Sequence, residues 1–568
     1  MSTRRLKHLF AAIPVLLALS FVATIVGYSS DKKGSMPQHG VTKPPAPTPP
    51  ATVNVISLDQ GWDDQTREKF WFTTQGSQIL PYAYFLALEQ ASSTEPFDSA
   101  ANMDRYRYLP SPPSSLNPDG LPIGFAKHSD PNSGEAFLGL TCAACHTTRI
   151  DYNGTGFLID GAGTLADFQS MLGDLSAALN ATANDNDKFG RFADRVLGPA
   201  HSQMQADNLL NNLVATTLGL AERNTLNMPP SPPGFARLDA FGNIFNEIMV
   251  VSLGVPANAS PPNAPVSYPF LWTTAQLDLV QWNGSASNAG IGPLARNIGE
   301  VVGVFGHLQI NVDSILGYPS TIAVSNLGSL ENWVADLLAP QWPNQYLPPI
   351  DAVKAANGKP LYDTYCGSCH AVIPRTANQQ IQVVMVPVGQ VQTDPTMTVN
   401  AATRMARSGP LVGRYKFILP IGDTFAATAS AGDFITNSVV GVLLNHPFEG
   451  IVAAIEEYRR VKEAPSFDPK SYKARPLNGI WATAPYLHNG SVPNLAQLLL
   501  PPSQRMQQFS VGARQYDPIN VGFVTAPSPG AYLYDTTLPG NSNAGHDYGT
   551  AELNDTQRLE LLEYLKTL

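Results

Sequence analysis

The longest apolar run of the chain lies near its beginning. Leu9–Val26 is almost free of polar side chains, and Arg4, Arg5 and Lys7 precede it. A basic segment followed by an apolar one is typical of a secretory signal peptide, and a run of this length also suits a single membrane anchor. The pattern predicts that residues 1–30 direct the rest of the chain out of the cytoplasm.

Proline and small polar residues dominate residues 31–54, a composition that predicts an extended linker. Helical periodicity then recurs at Leu165–Leu179 and at Asp185–Leu197. It recurs again at Asp555–Leu568, which reads as a capped amphipathic helix with Leu559 on its apolar face. Between such segments the many prolines and glycines predict ordered loops joining short helices.

Length and composition bound the class of protein. A chain of 568 residues with 43% hydrophobic residues is long enough for two or three packed domains. Only 14% of the residues are charged, and the formal net charge is −10. An acidic chain of this kind lacks the basic surface that nucleic acid requires, so no nucleic-acid partner is expected.

All four cysteines fall in two copies of one motif. Cys142–His146 reads Cys-Ala-Ala-Cys-His, and Cys366–His370 reads Cys-Gly-Ser-Cys-His. This is the attachment signature of c-type haem, in which both thiols lie on one face of a helical turn and the histidine binds the iron. The residues predicted to hold two covalent haems are Cys142, Cys145, His146, Cys366, Cys369 and His370, with the two histidines as iron ligands.

Cys-x-x-Cys pairs also occur in zinc sites and in dithiol redox motifs. Zinc ribbons usually place their two pairs close together, whereas these motifs are far apart in the chain. A redox pair would not need the same histidine after both copies. Haem attachment is therefore the working hypothesis. Because covalent haem is attached outside the cytoplasm, it agrees with a periplasmic or secreted location.

The occupant of the sixth position of each iron decides its chemistry. His546 and His488 both lie beside glycine in the C-terminal half, where the backbone can approach a flat ring closely. His546 is the first candidate for the second axial ligand of the C-terminal haem, and His488 and Met397 are the alternatives. A structural role in the core is the competing interpretation for each.

An iron with an open position needs a base and a polar group nearby if it is to reduce peroxide. Glu300 and Arg296 lie four positions apart in a helical pattern and would supply both from one face. A surface ion pair is the competing interpretation. Trp282 or Trp272 would carry electrons between the haems, with ordinary core packing as the alternative for either residue.

Three stretches resemble the dihaem cytochrome c peroxidase superfamily: Leu138–His146, Tyr472–Pro493 and Gly545–Gly549. Within that superfamily they are closest to the branch that contains the secreted dihaem rubber oxygenases. The resemblance implies a mainly α fold of two cytochrome-c-like haem domains with extensive loops, which we place at residues 55–340 and 341–568.

The resemblance also implies a division of labour between the haems. The N-terminal haem would be the reactive site, and the C-terminal haem would be an electron relay closed by a late histidine, a position that His546 matches. The segment between the motifs is longer than in standard dihaem peroxidases, which affects the substrate pocket. A calcium ion between the domains is a further expectation from the family, although no ligand cluster in the sequence identifies it.

Together these features predict an exported dihaem c-type oxidoreductase. It would reduce hydrogen peroxide with electrons from a small cytochrome or a cupredoxin. One alternative is a dioxygenase that cleaves an apolar polyene such as polyisoprene, which would need an apolar distal pocket and no acid–base pair. The other is a pure electron-transfer cytochrome, in which both irons would stay six-coordinate.

Overall fold

The computed structural model describes residue 42 and residues 53–131, 133–457, 461 and 463–568. The signal or anchor segment predicted at residues 1–30 and nearly all of the linker lie outside these ranges. Within the described ranges, no helix is both long enough and apolar enough to cross a membrane.

The prediction of a mainly α fold is wrong. The protein is 38% helix and 15% strand, and its strands form several small sheets, so the fold is mixed α/β. One cause is visible at Asn153-Gly154, two residues with positive φ that connect the strands Thr147–Tyr152 and Thr155–Asp160. An Asn-Gly pair favours the turn whose twist matches that of the flanking strands.

Helices and strands alternate along the chain without a repeating unit. The α-helices are α1 (Asp64–Phe72), α2 (Tyr82–Ala87), α3 (Ala100–Arg105), α4 (Phe168–Asn184), α5 (Asn186–Leu197), α6 (Gln203–Leu226), α7 (Ala240–Asn246), α8 (Gly292–Gly303), α9 (Val324–Asp336), α10 (Ala352–Tyr365), α11 (Val388–Val391), α12 (Thr396–Thr403), α13 (Ala431–Asn445), α14 (Pro447–Glu457), α15 (Leu495–Leu498) and α16 (Asp555–Leu565).

The strands are short. They are β1 (Asn54–Ser57), β2 (Leu80–Pro81), β3 (Phe125–Ser129), β4 (Ala136–Leu140), β5 (Thr147–Tyr152), β6 (Thr155–Asp160), β7 (Arg237–Leu238), β8 (Val266–Ser267), β9 (Leu279–Val280), β10 (Ala286–Ser287), β11 (Val384–Pro387), β12 (Met405–Arg407), β13 (Thr428–Ser430), β14 (Ser471–Ala474), β15 (Gln508–Val511), β16 (Tyr516–Asp517), β17 (Gly522–Phe523) and β18 (Tyr532–Asp535). Two sheets have three strands, in the orders β1-β6-β5 and β2-β4-β3, and they flank the first cysteine motif.

The terminal helix α16 packs along α10, which leads into the second cysteine motif. A side chain at Gly358 of α10 would not fit, because a Cβ there would lie 2.0 Å from the Glu560 carbonyl oxygen. The buried face of α16 contains Leu561 and Leu562, whereas Leu559, which the sequence places on the apolar face, is exposed. The helix was thus predicted correctly and its buried face only in part.

The main hydrophobic core includes residues from both predicted haem domains. Phe70, Ile159 and Trp272 belong to it, and so do Trp481 and Leu562 from the C-terminal half. The halves therefore share one continuous apolar interior. The boundary at residue 340 remains a prediction about how the chain divides.

A buried ion pair supports the first cysteine motif. Asp160, the last residue of β6, accepts hydrogen bonds from Arg67 Nε (2.7 Å) and Trp71 Nε1 (2.6 Å). The next residue, Gly161, donates its N–H to the His146 carbonyl (2.8 Å). The position of this motif therefore depends on the charge pair between α1 and β6.

We expect Asp160→Ala to lower the free energy of unfolding by about 3–5 kcal/mol, because it removes the buried counter-charge of the Arg67 guanidinium and leaves only the exposed carboxylate of Asp64. Chemical denaturation measures the loss. The matched control is Asp64→Ala, which removes the other carboxylate bound to Arg67; the Asp160 side chain is 1% exposed and that of Asp64 101%. Equal losses in the two variants would contradict the structural importance of the buried pair.

Candidate functional site

The first cysteine motif forms one tight turn between β4 and β5. The N–H groups of Cys145 and His146 both donate to the Cys142 carbonyl, at 3.2 and 3.0 Å. This turn places both thiols and the imidazole within a single short segment. The Tyr268 ring meets the His146 ring edge-on, with centroids 6.5 Å apart.

The second motif repeats this hydrogen-bond pattern at the end of α10. The N–H groups of Cys369 and His370 donate to the Cys366 carbonyl, at 3.1 and 2.9 Å. The Tyr362 hydroxyl donates to the His370 carbonyl (2.6 Å) and fastens the turn to the helix. The two motifs therefore have the same local hydrogen bonding in different surroundings.

Both motif histidines are half-buried, and their surroundings favour the neutral imidazole. Burial lowers the pKa of His146 to about 4, an effect that the Pro269 carbonyl opposes, and it also lowers the pKa of His370. His370 Nδ1 lies 2.7 Å from the Arg475 carbonyl oxygen. A carbonyl can only accept, so Nδ1 carries the proton and Nε2 keeps its lone pair. This is the tautomer that binds a metal through Nε2.

His546 faces His370, with ring centroids 6.1 Å apart. Two metal–nitrogen bonds of about 2 Å, plus the distance from each nitrogen to its ring centre, add up to roughly 6 Å. Burial and then the nearby His370 lower the pKa of His546 to about 3. The pair therefore fits one metal ion between two neutral imidazoles, as in a haem with two axial histidines.

A strained loop presents His546. His546 has φ 50° and Gly545 has φ 71°, so both lie in the left-handed region. A Cβ at Gly545 would lie 2.3 Å from the Val391 carbonyl oxygen, which restricts that position to glycine. The His546 N–H donates to the same carbonyl (2.8 Å), and Arg505 Nη1 donates to the Gly545 carbonyl (2.8 Å). These contacts hold the imidazole toward His370.

The competing ligands lie elsewhere or have weaker geometry. The His488 ring stacks on Tyr472, with centroids 4.0 Å apart, and burial lowers its pKa to about 4. Met397 is buried in the hydrophobic cluster against which Cys369 packs. The ring partner of His370 is His546 rather than His488.

Glu300 and Arg296 both lie on α8, but the main partner of the arginine is a residue that the sequence did not indicate. Arg296 Nη2 bonds to Glu331, and Nη1 donates to Asn288 Oδ1 (2.8 Å). Arg296 Nε lies 3.8 Å from Glu300 Oε1, which accepts a shorter hydrogen bond from Gln281 Nε2 (2.6 Å). Arg296 is 8% exposed, so this is not a surface ion pair.

The Glu300 carboxyl lies near the first motif. Burial raises the pKa of Glu300, and its charge in turn adds to the raised pKa values of Cys142 and Cys145. The side chain is nevertheless 44% exposed, so part of it is in contact with solvent. A carboxyl of this kind is able to take up and release a proton beside the first motif.

The two candidate tryptophans have different positions. Trp282 donates its indole N–H to the Ser267 carbonyl (2.8 Å) and packs in the cluster next to Cys369, on the side of the second motif. Trp272 is fully buried, stacks on Phe270 with centroids 4.8 Å apart, and lies between the two motifs.

A chain of backbone and side-chain contacts through Trp272 connects the motif histidines. Its hydrogen bonds are Gly161 N to His146 O (2.8 Å), Leu271 N to Gly161 O (2.8 Å), Arg475 Nη2 to Trp272 O (2.5 Å) and His370 Nδ1 to Arg475 O (2.7 Å). Trp272 thus lies on a short connection between the two candidate haem sites.

Several residues of the site were missed by sequence reasoning. They are Arg475, Gln281, Glu331 and Arg505. Arg475 lies inside the Tyr472–Pro493 stretch that carries the resemblance, which is the signal that could have found it. Across the described ranges no group of three or more His, Cys, Asp or Glu side chains is placed to hold a metal ion, and the expected calcium stays a prediction.

Comparisons with known proteins agree with a haem site. A family model described as RoxA-like, cytochrome c-like matches residues 471–510. The uncharacterized protein y4iJ of Sinorhizobium fredii (strain NBRC 101917 / NGR234) is 30% identical over 582 residues, covering 92% of this chain and 94% of the relative. The uncharacterized protein y4iM of the same strain is 28% identical over 362 residues, covering 59% of this chain and 72% of the relative.

We expect His546→Ala, matured in an export-competent host, to convert one low-spin ferric haem signal into a high-spin one. The reason is that His370 alone would leave one side of that iron open. Electron paramagnetic resonance measures the change. The control is His488→Ala, which should keep the low-spin signal. An unchanged spectrum for His546→Ala would remove this histidine as the axial ligand.

Proposed function

Because this chain belongs to the same family as y4iJ of Sinorhizobium fredii and carries a RoxA-like, cytochrome c-like segment, we propose that it is an exported dihaem peroxidase. The segment itself makes the chain a haem-dependent oxidoreductase of the c type. The finer proposal is reduction of hydrogen peroxide at the haem of Cys142–His146, with the haem of Cys366–His370 as the electron relay.

This proposal rests on a difference in the histidines that surround the two cysteine motifs. His370 faces a second imidazole, whereas no second histidine ring contacts His146 in the part of the chain that the structure describes. A haem between His370 and His546 would have both axial positions filled, which suits electron transfer. A haem on His146 would keep one position for a small molecule, and Glu300 lies near that motif.

Reduction of one peroxide molecule consumes two electrons and two protons and produces two water molecules. When bound, haem supplies the redox chemistry of this reaction. Glu300 takes a proton from one oxygen of peroxide and gives it to the other oxygen, which leaves as water. Arg296, held in place by Glu331, keeps a positive charge beside this carboxyl and limits the rise of its pKa.

The electrons would come from a donor protein such as a small cytochrome or a cupredoxin. They would enter near the second motif and reach the first along the connection that contains Trp272. The basic and apolar segment at residues 1–30 supports export, with residence in the periplasm, outside the cell or on the inner membrane.

The second candidate is a haem-dependent dioxygenase that cleaves an apolar polyene such as polyisoprene. The RoxA-like match favours it, because the resemblance of the sequence is to the rubber-oxygenase branch. This reaction would not require proton transfer by Glu300, so the two candidates differ in their dependence on that residue.

We expect Glu300→Gln to reduce peroxide turnover by at least about tenfold, because the amide cannot accept the proton. The intact enzyme should lose activity as the pH falls through the Glu300 pKa, which lies above its usual range, since only the ionised carboxylate is a base. In Glu300→Gln the decrease of activity at low pH should be absent. Steady-state rates against pH measure both effects. Glu222→Gln, an exposed change on α6, is the control. Full activity in Glu300→Gln would exclude this residue as the base.

The proposal also predicts inertness toward latex. Incubation with polyisoprene and oxygen should give neither oxygen uptake nor carbonyl-terminated products, whereas reduced cytochrome c and peroxide should support turnover. An oxygen electrode and carbonyl-specific product analysis measure the two reactions. Oxygen uptake with aldehyde or ketone products would replace the peroxidase proposal with the dioxygenase.

A further inference from the structure

Two cationic side chains lie on one side of the segment that follows Pro469. Strand β14 continues into Arg475, and residues two apart in an extended chain point to the same side, so Lys473 and Arg475 share a face. Tyr472, on the opposite face, stacks on His488. Arg475 is buried and Lys473 is half-buried, and the Lys473 N–H donates to the Trp282 carbonyl (2.8 Å).

The Arg475 guanidinium is buried without a carboxylate partner. Its Nη1 donates to the Phe270 carbonyl (2.8 Å), and its Nη2 donates to the Trp272 carbonyl (2.5 Å) and to Thr273 Oγ1 (2.8 Å). Its Nε is buried and has no acceptor among the described residues. Three neutral oxygens orient the charge but do not neutralise it, and an uncompensated buried charge is costly.

The Lys473 ammonium makes no hydrogen bond or ion pair with any residue of the described ranges. Burial, together with the neighbouring charges of Arg475 and Arg296, pushes the pKa of Lys473 well below its usual range. Asp278 is the nearby carboxylate that opposes this, but its Oδ1 is engaged by the Val383 N–H (3.0 Å). The ammonium therefore lacks a direct anionic partner.

The position of Lys473 and Arg475 indicates which anion they would bind. The Arg475 carbonyl accepts the hydrogen bond of His370 Nδ1, and Trp282, next to Lys473, packs in the same cluster as Cys369. Arg475 thus lies directly beside the second cysteine motif, and Lys473 lies two residues earlier in the same extended segment. A haem attached there brings two carboxylate groups of its own, which are anions of the required charge.

We propose that Lys473 and Arg475 form the binding site for the carboxylate side chains of the tetrapyrrole held by Cys366, Cys369 and His370. The inference rests on the proposed function, since it needs haem at the second motif. Arg475 offers its free Nε–H. Lys473 offers a nitrogen on a flexible stem, and a carboxylate placed beside it would favour its charged form. The pair would neutralise the haem carboxylates and raise the reduction potential of this haem relative to one without them, because positive charge disfavours the ferric state.

Potentiometric titration of the full-length holoprotein tests this site. We expect Lys473→Met, which keeps an apolar stem, to shift the midpoint potential of one haem to a more negative value and to leave the other unchanged. Lys473→Arg should restore the original potential by restoring the charge. Lys470→Met is the matched control, because Lys470 is exposed just before β14. The bis-histidine haem is identified in the titration by its low-spin absorption and by its loss in His546→Ala.

The outcomes separate this inference from the proposed function. Intact-mass analysis of the wild-type protein counts attached haems first. Two haems with unchanged potentials in Lys473→Met would overturn the carboxylate site and leave the peroxidase proposal standing. A shift confined to the His146 haem would also overturn it. A wild-type protein without added haem mass would overturn both proposals at once.

Discussion

The hydrogen bond from His370 Nδ1 to the Arg475 carbonyl is the interaction on which the candidate site depends most. It favours the tautomer of His370 in which Nε2 keeps its lone pair, and the His546 ring lies 6.1 Å from the His370 ring. The same residue, Arg475, reaches with its side chain to the Trp272 carbonyl. One backbone carbonyl therefore orients a candidate metal ligand, and the guanidinium of the same residue links that candidate ligand to the connection with the first motif.

This arrangement requires close approach of backbone segments, and glycines provide it where a side chain would collide. Gly545 lies against the Val391 carbonyl and Gly358 against the Glu560 carbonyl. The first contact aims His546, and the second seats α16 on the helix that ends in the second motif. Burial lowers the pKa of both imidazoles and so favours their neutral forms, which are the forms that bind metal ions.

The sequence predicts what is local and misses what depends on distant residues. The two cysteine motifs can be predicted from their residue spacing, and His546 can be predicted as a candidate ligand from its neighbouring glycine. The mixed fold was missed although Asn153-Gly154 is a recognisable hairpin turn between two strands. The partner of Arg296 could not be predicted by helical spacing, because Glu331 comes from another helix and outcompetes the residue four positions away.

The two motifs show why identical local chemistry does not fix function. Each is the same turn, in which two N–H groups donate to the first cysteine carbonyl. What differs is the side chain that the rest of the fold brings near: an imidazole faces the second motif, and a carboxyl with a raised pKa lies beside the first. A second imidazole closes an iron to small molecules, whereas a protonatable carboxyl is useful only where such a molecule reacts. The proposed division of labour therefore rests on α8 and on the His546 loop, both remote in sequence from the cysteine motifs.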